Sequence, residues 1–170
     1  MKYPFKFINI FIYLIIIGLL VGCKNDNILF ENYKTLEQGF WQYDSTIVFK
    51  FSVRERLHNY NITMYLRNTI SYPYYNLYIQ YQLKSPKGDT LSTSTKELIL
   101  MNAKTGQPFG KIAEPAGKGV GYYYDHEFPL LSNYQFPDTG TYELQIKQYM
   151  RLDTLPHIHA VGAKVELVKQ

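Results

Sequence analysis

Between Ser45 and Leu83 the chain alternates apolar and polar residues with a period of two. Ile47, Phe49, Phe51 and Val53 alternate with Thr46, Lys50, Ser52 and Arg54; Tyr60, Ile62, Met64 and Leu66 with Asn61, Thr63, Tyr65 and Arg67. Leu77, Ile79, Tyr81 and Leu83 then alternate with Asn76, Tyr78, Gln80 and Gln82. That period sends successive side chains to opposite faces of a pleated strand, so each run predicts a strand with one buried and one wet face. Three such runs in succession exclude a helical domain.

The rest of the pattern extends the same architecture. In Ser85-Pro86-Lys87-Gly88-Asp89, Pro presets a negative φ and Gly supplies a left-handed one, which folds Asn76–Leu83 back onto Asp89–Thr95 as a hairpin. Glu97–Met101 is a further apolar run. Residues 102–121 hold Gly106, Gly110, Gly117, Gly119 and Gly121 with Pro108 and Pro115, and are expected to form one long loop. Tyr122–Phe128 predicts a strand, followed by a link through Pro129 and Asn133. Asp138-Thr139-Gly140-Thr141-Tyr142 then leads into the alternating Tyr142, Leu144 and Ile146. A turn of this kind entering a strand resembles the tyrosine corner of β-sandwiches, whose phenol bonds back to upstream backbone. After a loop over Arg151–Ala160, Val161, Ala163, Val165 and Leu167 form the last strand. About eight strands result, and the expected fold is an all-β, antiparallel two-sheet sandwich of Greek-key or jelly-roll type. Its expected bounds are 45–170, preceded over 23–44 by a tether and an extended lead-in. In the lead-in a turn falls at Gln38-Gly39, and Tyr33, Phe40 and Trp41 pin it to the core.

The first 22 residues follow a different pattern. Lys2 and Lys6 precede an apolar run from Phe7 to Leu20, and Leu20-Val21-Gly22-Cys23 ends it. That is the layout of an export signal, too short to cross a bilayer comfortably. A small residue directly before cysteine resembles the lipobox of bacterial lipoproteins. The resemblance implies cleavage between Gly22 and Cys23, with lipid on the Cys23 thiol and on the freed amino group, and an anchor of two or three acyl chains holds stably where one holds marginally. Cys23 is the only cysteine, so no internal disulfide is available. Lys24 to Asn27 is a short polar tether.

Composition changes this picture in two places. The leader takes Lys2 and Lys6 with it, so the exported part is close to neutral despite the pI near 9.0 of the whole chain; without a basic stripe or a recognition motif, nucleic acid is discarded as a partner. The 17 Tyr and 10 Phe suit pleated, half-buried surfaces. Tyr72, Tyr74, Tyr75 and Tyr78, with Tyr122, Tyr123 and Tyr124, form the richest candidate surface. Some must be buried by alternation, and exposed tyrosines favour protein interfaces or stacking on sugars.

Candidate chemistry is thin. The glycines between Gly110 and Lys118 have the wrong spacing for phosphate binding and lack a Ser or Thr after the Lys. His157 and His159 would share a face if extended, as metal ligands on a strand do, but they lie beside Pro156 in an expected loop, and His58 and His126 have no fixed relation to them. Asp125 and Glu127 share a strand face and read as solvated charge. No metal, no cofactor beyond the lipid on Cys23, and no catalytic residue is expected, and the chain does not read as an enzyme.

Leu66-Arg67-Asn68-Thr69-Ile70-Ser71-Tyr72-Pro73-Tyr74-Tyr75-Asn76-Leu77 resembles the signature of the GldH family, gliding-motility-associated lipoproteins of the Bacteroidetes. The likeness continues through Tyr33, Trp41, Ser45, Phe49-x-Phe51, the Pro86-x-Gly88 turn, Gly117-x-Gly119, Phe136 with Gly140-x-Tyr142, Gln148, Met150-Arg151 and Val161-Gly162. His157-Ile158-His159 departs from the Gly-rich approach expected there. The resemblance implies a non-catalytic envelope protein that supports assembly or stability of the motility apparatus and the linked type IX secretion system, with partners among their proteins. It also implies an outer-membrane location. Lys24-Asn25-Asp26 matches only in part the Lys-plus-acid signal for surface export, so the expected orientation is periplasmic, with the cell surface as the alternative. A glycan- or peptide-binding envelope lipoprotein, with Tyr122–Tyr124 lining a concave site, is the second functional reading.

Overall fold

The computed structural model describes residues 27–115 and 121–169. Gly22, Cys23 and the leader lie outside them, as do Gly117 and Gly119 of the glycine-rich stretch. The strands are β1 Ile28–Thr35, β2 Phe40–Gln42, β3 Ile47–Val53, β4 Asn59–Thr69, β5 Asn76–Lys84, β6 Thr90–Ile99, β7 Lys111–Pro115, β8 Tyr122–Gln135, β9 Gly140–Gln148, β10 Thr154–Pro156 and β11 Ile158–Leu167. A single 3-10 turn, Glu37–Gly39, is the only helical element among the described residues.

All pairing is antiparallel. A five-stranded sheet runs in the order β1-β11-β4-β8-β7 and a four-stranded sheet in the order β3-β9-β5-β6, while β10 and β2 form a small ribbon. The two sheets make a sandwich because each alternating run has an apolar face to hide. β4 buries Tyr60, Ile62, Met64 and Leu66, and β11 buries Val161, Ala163 and Val165; opposite them lie the buried residues of β3, β5 and β9. Each fully buried side chain of this size contributes about 1.5–3 kcal/mol. Two aromatic residues tie the sheets together: Phe30 of β1 lies 6.2 Å from Phe49 and 5.8 Å from Phe51, ring to ring, and the buried Tyr81 of β5 donates its O–H to the Leu130 carbonyl of β8 at 3.1 Å.

The tyrosine corner is present. The Tyr142 hydroxyl donates to the Asp138 carbonyl at 2.7 Å and accepts the Asp138 N–H at 3.1 Å. The hairpin over Ser85–Asp89 closes with the Gly88 N–H on the Ser85 carbonyl at 2.9 Å.

Several strands differ from expectation, each for a local reason. The lead-in is not merely extended, because Ile28–Thr35 is an edge strand of the larger sheet, paired with β11. Its alternation is blurred because an edge strand covers little of the core. Of the three residues expected to pin it, Trp41 is fully buried while Tyr33 and Phe40 are about half exposed. Residues 102–121 are not one loop, since Lys111–Pro115 adds an edge strand to β8. Asp89–Thr95 and Glu97–Met101 merge into one strand. Tyr122–Gln135 is likewise continuous through Pro129, which sits opposite Thr63 at a register irregularity where a missing N–H is tolerated. Pro156 lies in β10, whose pairing with β2 sets Leu155 beside Trp41.

Strand direction sorts the connections into two ends. At one end are the entry at Asn27, whose carbonyl accepts the Leu167 N–H at 2.8 Å, and the turns 54–58, 85–89 and 136–139. At the other are the longer connections 36–46, 70–75, 100–110 and 149–157. With a rise of ~3.3 Å per residue, a strand as long as β4 separates the two ends by roughly 35 Å.

Candidate functional site

The seven tyrosines singled out in the sequence divide by burial. Tyr72 is buried, its hydroxyl donating to the Asn76 carbonyl at 2.9 Å. It acts as a strut of the β4–β5 connection, and burial pushes its phenol far above the usual range. Tyr74 packs edge-on against it, with ring centroids 5.7 Å apart. Tyr75 and Tyr122 are exposed, and the neighbouring Ile70 is 44 % exposed. Gly121 lies against Ile70: a Cβ added there would stand 3.5 Å from its side chain, so the 70–75 connection and the start of β8 share one patch. Phe109, 62 % exposed, belongs to another connection at this same end. Tyr78 lies apart, on the outer face of the four-stranded sheet opposite Glu97.

The outer faces of the two sheets differ. The four-stranded sheet shows Gln80, Gln82, Gln145 and Lys147 around a dimple of about 100 Å³. The five-stranded sheet carries a cleft of about 560 Å³, within the range of small-molecule sites. Its geometry follows from β11, which presents only Ala160 and Gly162 outward in mid-sheet, opposite Arg67 and Tyr65 of β4. Tyr33 of β1 lies directly across Gly162. A Cβ there would meet the phenol ring at 2.5 Å, so only glycine permits this seating. The Tyr33 and Tyr65 rings meet with centroids 5.3 Å apart and planes inclined by 37°. The Tyr33 hydroxyl donates to Glu31 at 2.9 Å, and burial together with that carboxylate holds the phenol far above its usual pKa.

Along one side runs a planar ion pair, in which Arg67 Nε and Nη2 donate to the two Asp125 oxygens at 2.6 and 2.7 Å. The guanidinium also lies 5.4 Å from the Tyr123 ring centroid. Lys111 of β7 stands 3.5 Å from Glu127. Asp125 and Glu127 thus do share a face, and each is matched by a cation.

Beneath this face His126 is buried against Phe128, ring planes within 6°. Its Nε2 has no hydrogen-bond partner among the described residues, and a Cβ on Gly110 would meet it at 2.6 Å. Burial lowers its pKa to about 4, against the opposing pull of Asp125. His157 and His159 are held by different partners. The His157 ring meets the Thr69 hydroxyl at 3.3 Å, whereas His159 packs on Tyr123 and over Gly39. Among the described residues no group of three or more His, Cys, Asp or Glu is placed to hold a metal, and no helix is long and apolar enough to cross a membrane.

Tyr122–Tyr124 do not line the cleft. The residues that do, Tyr33 and Tyr65, are 32 positions apart and meet only through the β1-β11-β4 pairing. The sequence traces of this arrangement are Gly162 within an otherwise β-rich run and the presence of both Tyr33 and Gly162 among the residues of the family resemblance.

Fold and surface together define an antiparallel β-sandwich whose distinctive features are a patch at its loop-rich end and an aromatic cleft on one sheet. The family model described as GldH lipoprotein matches residues 28–165, from β1 into β11, and the chain belongs to that family. It is 27 % identical over 155 residues to the gliding motility lipoprotein GldH of Flavobacterium johnsoniae, covering 87 % of this chain and 89 % of that protein. It is 24 % identical over 165 residues to the gliding motility lipoprotein GldH homolog of Christiangramia forsetii, covering 93 % and 94 %. Among solved structures, the CBM22-1 xylan-binding domain from Paenibacillus barcinonensis Xyn10C aligns over 88 % of this chain and 99 % of its own, at 10 % identity and a TM-score of 0.38. A likeness that slight carries no argument.

Proposed function

We propose that this protein is a lipid-anchored, non-catalytic interaction module of the cell envelope, serving assembly or stability of a gliding-motility or type IX secretion apparatus. The observation that carries the reading is family membership across both sheets, with relatives named as gliding motility lipoproteins. The anchor is the acylated Cys23, held in the outer membrane with the domain in the periplasm. Asn27 enters at the end with tight turns, so the patch of Ile70, Tyr75, Phe109 and Tyr122 points away from the anchor. Its exposed rings are large, stiff and amphipathic, the side chains that dominate protein interfaces. A partner docks there, at about one strand length from the membrane.

Deletion of the gene, scored together for motility, secretion and envelope integrity, tests this reading. Loss of one of these, restored by the wild-type gene and not by Cys23→Ser, is the expected result. A deletion without any such defect overturns it, as does a Cys23→Ser protein that still sediments with membranes after high-salt and carbonate washing.

A further inference from the structure

We propose that the cleft on the outer face of the five-stranded sheet binds a neutral saccharide. Three features of the cleft argue for this class of ligand. First, the aromatic platform is built in place: glycine at 162 lets the Tyr33 ring lie on the sheet backbone, and Tyr65 extends it on the next strand. The Lys164 ammonium, ion-paired with Glu166 at 3.0 Å, lies 5.7 Å from the Tyr65 ring centroid; two rings held in this way lose little conformational entropy on binding, and the ring surface left to the cleft suits the C–H face of a pyranose. Second, the polar groups are matched in charge. Among the described residues that line the cleft, Arg67 is paired with Asp125 and Lys111 with Glu127, so these four side chains present donors and acceptors whose charges balance. A phosphate or an acidic polymer would have to displace a carboxylate from its cation, and a cationic ligand would have to do the reverse. A hydroxyl donates and accepts at once, and suits a guanidinium beside a carboxylate without breaking the pair. Third, a purely apolar chain is disfavoured, because it would cover two ion pairs without supplying hydrogen bonds.

The site is separate from the loop-end patch, so a partner protein and a glycan could be held together. Envelope polysaccharides of two sources share this chemistry: the N-acetylhexosamine strands of the wall and neutral hexose polymers of the outer surface.

Calorimetric titration of the full-length acylated protein in detergent micelles tests the proposal. The probes are chitotetraose, maltotetraose, a sulfated glycosaminoglycan fragment and an unstructured neutral peptide. Saturable binding of one or both neutral tetrasaccharides is expected, nearly unchanged between about 0.05 and 0.5 M salt because no net charge is matched; which of the two binds more tightly distinguishes the wall source from the surface source. Tyr65→Ala and Tyr33→Ala should each weaken it by about tenfold, the scale of one lost ring contact, while Tyr78→Ala on the other sheet leaves it intact. Melting curves confirm that the variants are folded, and Tyr33, on an edge strand, is the safer of the two. The proposal is overturned if neither neutral sugar binds, if only the sulfated fragment or the peptide binds, or if folded Tyr33→Ala and Tyr65→Ala proteins bind as the parent does. The gene-deletion phenotype is read separately, so either proposal can fail alone.

Discussion

The two ends of the sandwich are built differently. At the end where the chain enters, three short turns close directly on themselves: Gly88 on Ser85, Tyr142 on Asp138, and the Tyr60 hydroxyl on the Glu55 carbonyl at 2.7 Å. At the opposite end the connections are long and are held by inserted side chains. Trp41 and Leu155 plug the end beneath the β2–β10 ribbon, and the fully buried Gln148 bonds Leu152 and Met150 to order the turn after β9. Three non-glycine residues with positive φ, Gln38, Arg151 and His157, belong to those far connections. Backbone of that kind is retained where surrounding contacts over-determine it. The near end is thus made of self-sufficient turns, whereas the far end is a surface whose shape depends on a few plugs, the more suitable arrangement for presenting side chains to a partner.

The largest expected effect follows from those plugs. Trp41→Ala removes a fully buried indole whose N–H donates to the Ser45 carbonyl at 3.1 Å, and should lower unfolding free energy by about 3–5 kcal/mol. Urea denaturation measures it. A loss below about 1 kcal/mol would mean that the far end is not held by its ribbon, and the contrast between the ends would collapse.

Acid should act through the same half of the molecule. His126 is neutral when folded because burial lowers its pKa from 6.5 to about 4. The stability this neutral burial supports is complete above pH 6.5, where both states are neutral. Below it the unfolded chain takes up a proton that the folded one refuses, so stability falls as pH drops from about 6.5 to 4, by at most about 3 kcal/mol. Urea midpoints at neutral pH and near pH 4.5, compared between the parent and His126→Phe, isolate this share. An equally steep acid loss in the variant would assign it to carboxylates elsewhere.

At the near end, Tyr142→Phe keeps the ring and removes both bonds to Asp138. About 1–2 kcal/mol is expected, the scale of a partly buried hydrogen-bond pair. Hydrogen exchange at the 136–139 turn should quicken while the far connections stay as they were. If exchange quickens at both ends, they unfold as one unit and their difference is only one of appearance.

How much of this was legible in the sequence depends on distance along the chain. β3, β4 and β5 could be read because each carries its own alternation, and the tyrosine corner because Asp138 and Tyr142 are four residues apart. β1 and β7 could not, because an edge strand is fixed by its neighbour more than by its own pattern. The cleft was illegible for the same reason, since Tyr33 reaches Gly162 only through a pairing that joins the first strand to the last. Both residues were nonetheless among those carrying the family resemblance, as were Trp41 and Ser45, which the structure joins by a hydrogen bond. A list of resemblances along the chain becomes contacts once the sheet order is known.

The smallest effect on stability is the most informative about function. Tyr75 and Tyr122 are exposed at the far end, and the hydrogen bonds of that connection use the Tyr75 carbonyl, which accepts from Leu100 at 2.8 Å, not its phenol. Tyr75→Ala and Tyr122→Ala should therefore change unfolding free energy by no more than about 0.5 kcal/mol. Introduced together into the chromosomal gene, they should reproduce the motility or secretion defect of the deletion, with the protein still present at normal levels in the membrane. A paired substitution of Ser52 and Lys87 to Ala, near the end where β1 begins, serves as the control and should have no phenotype. If the control produces the defect and the tyrosine pair does not, the working surface faces the membrane, and the longer connections of the far end must be explained by something other than a partner.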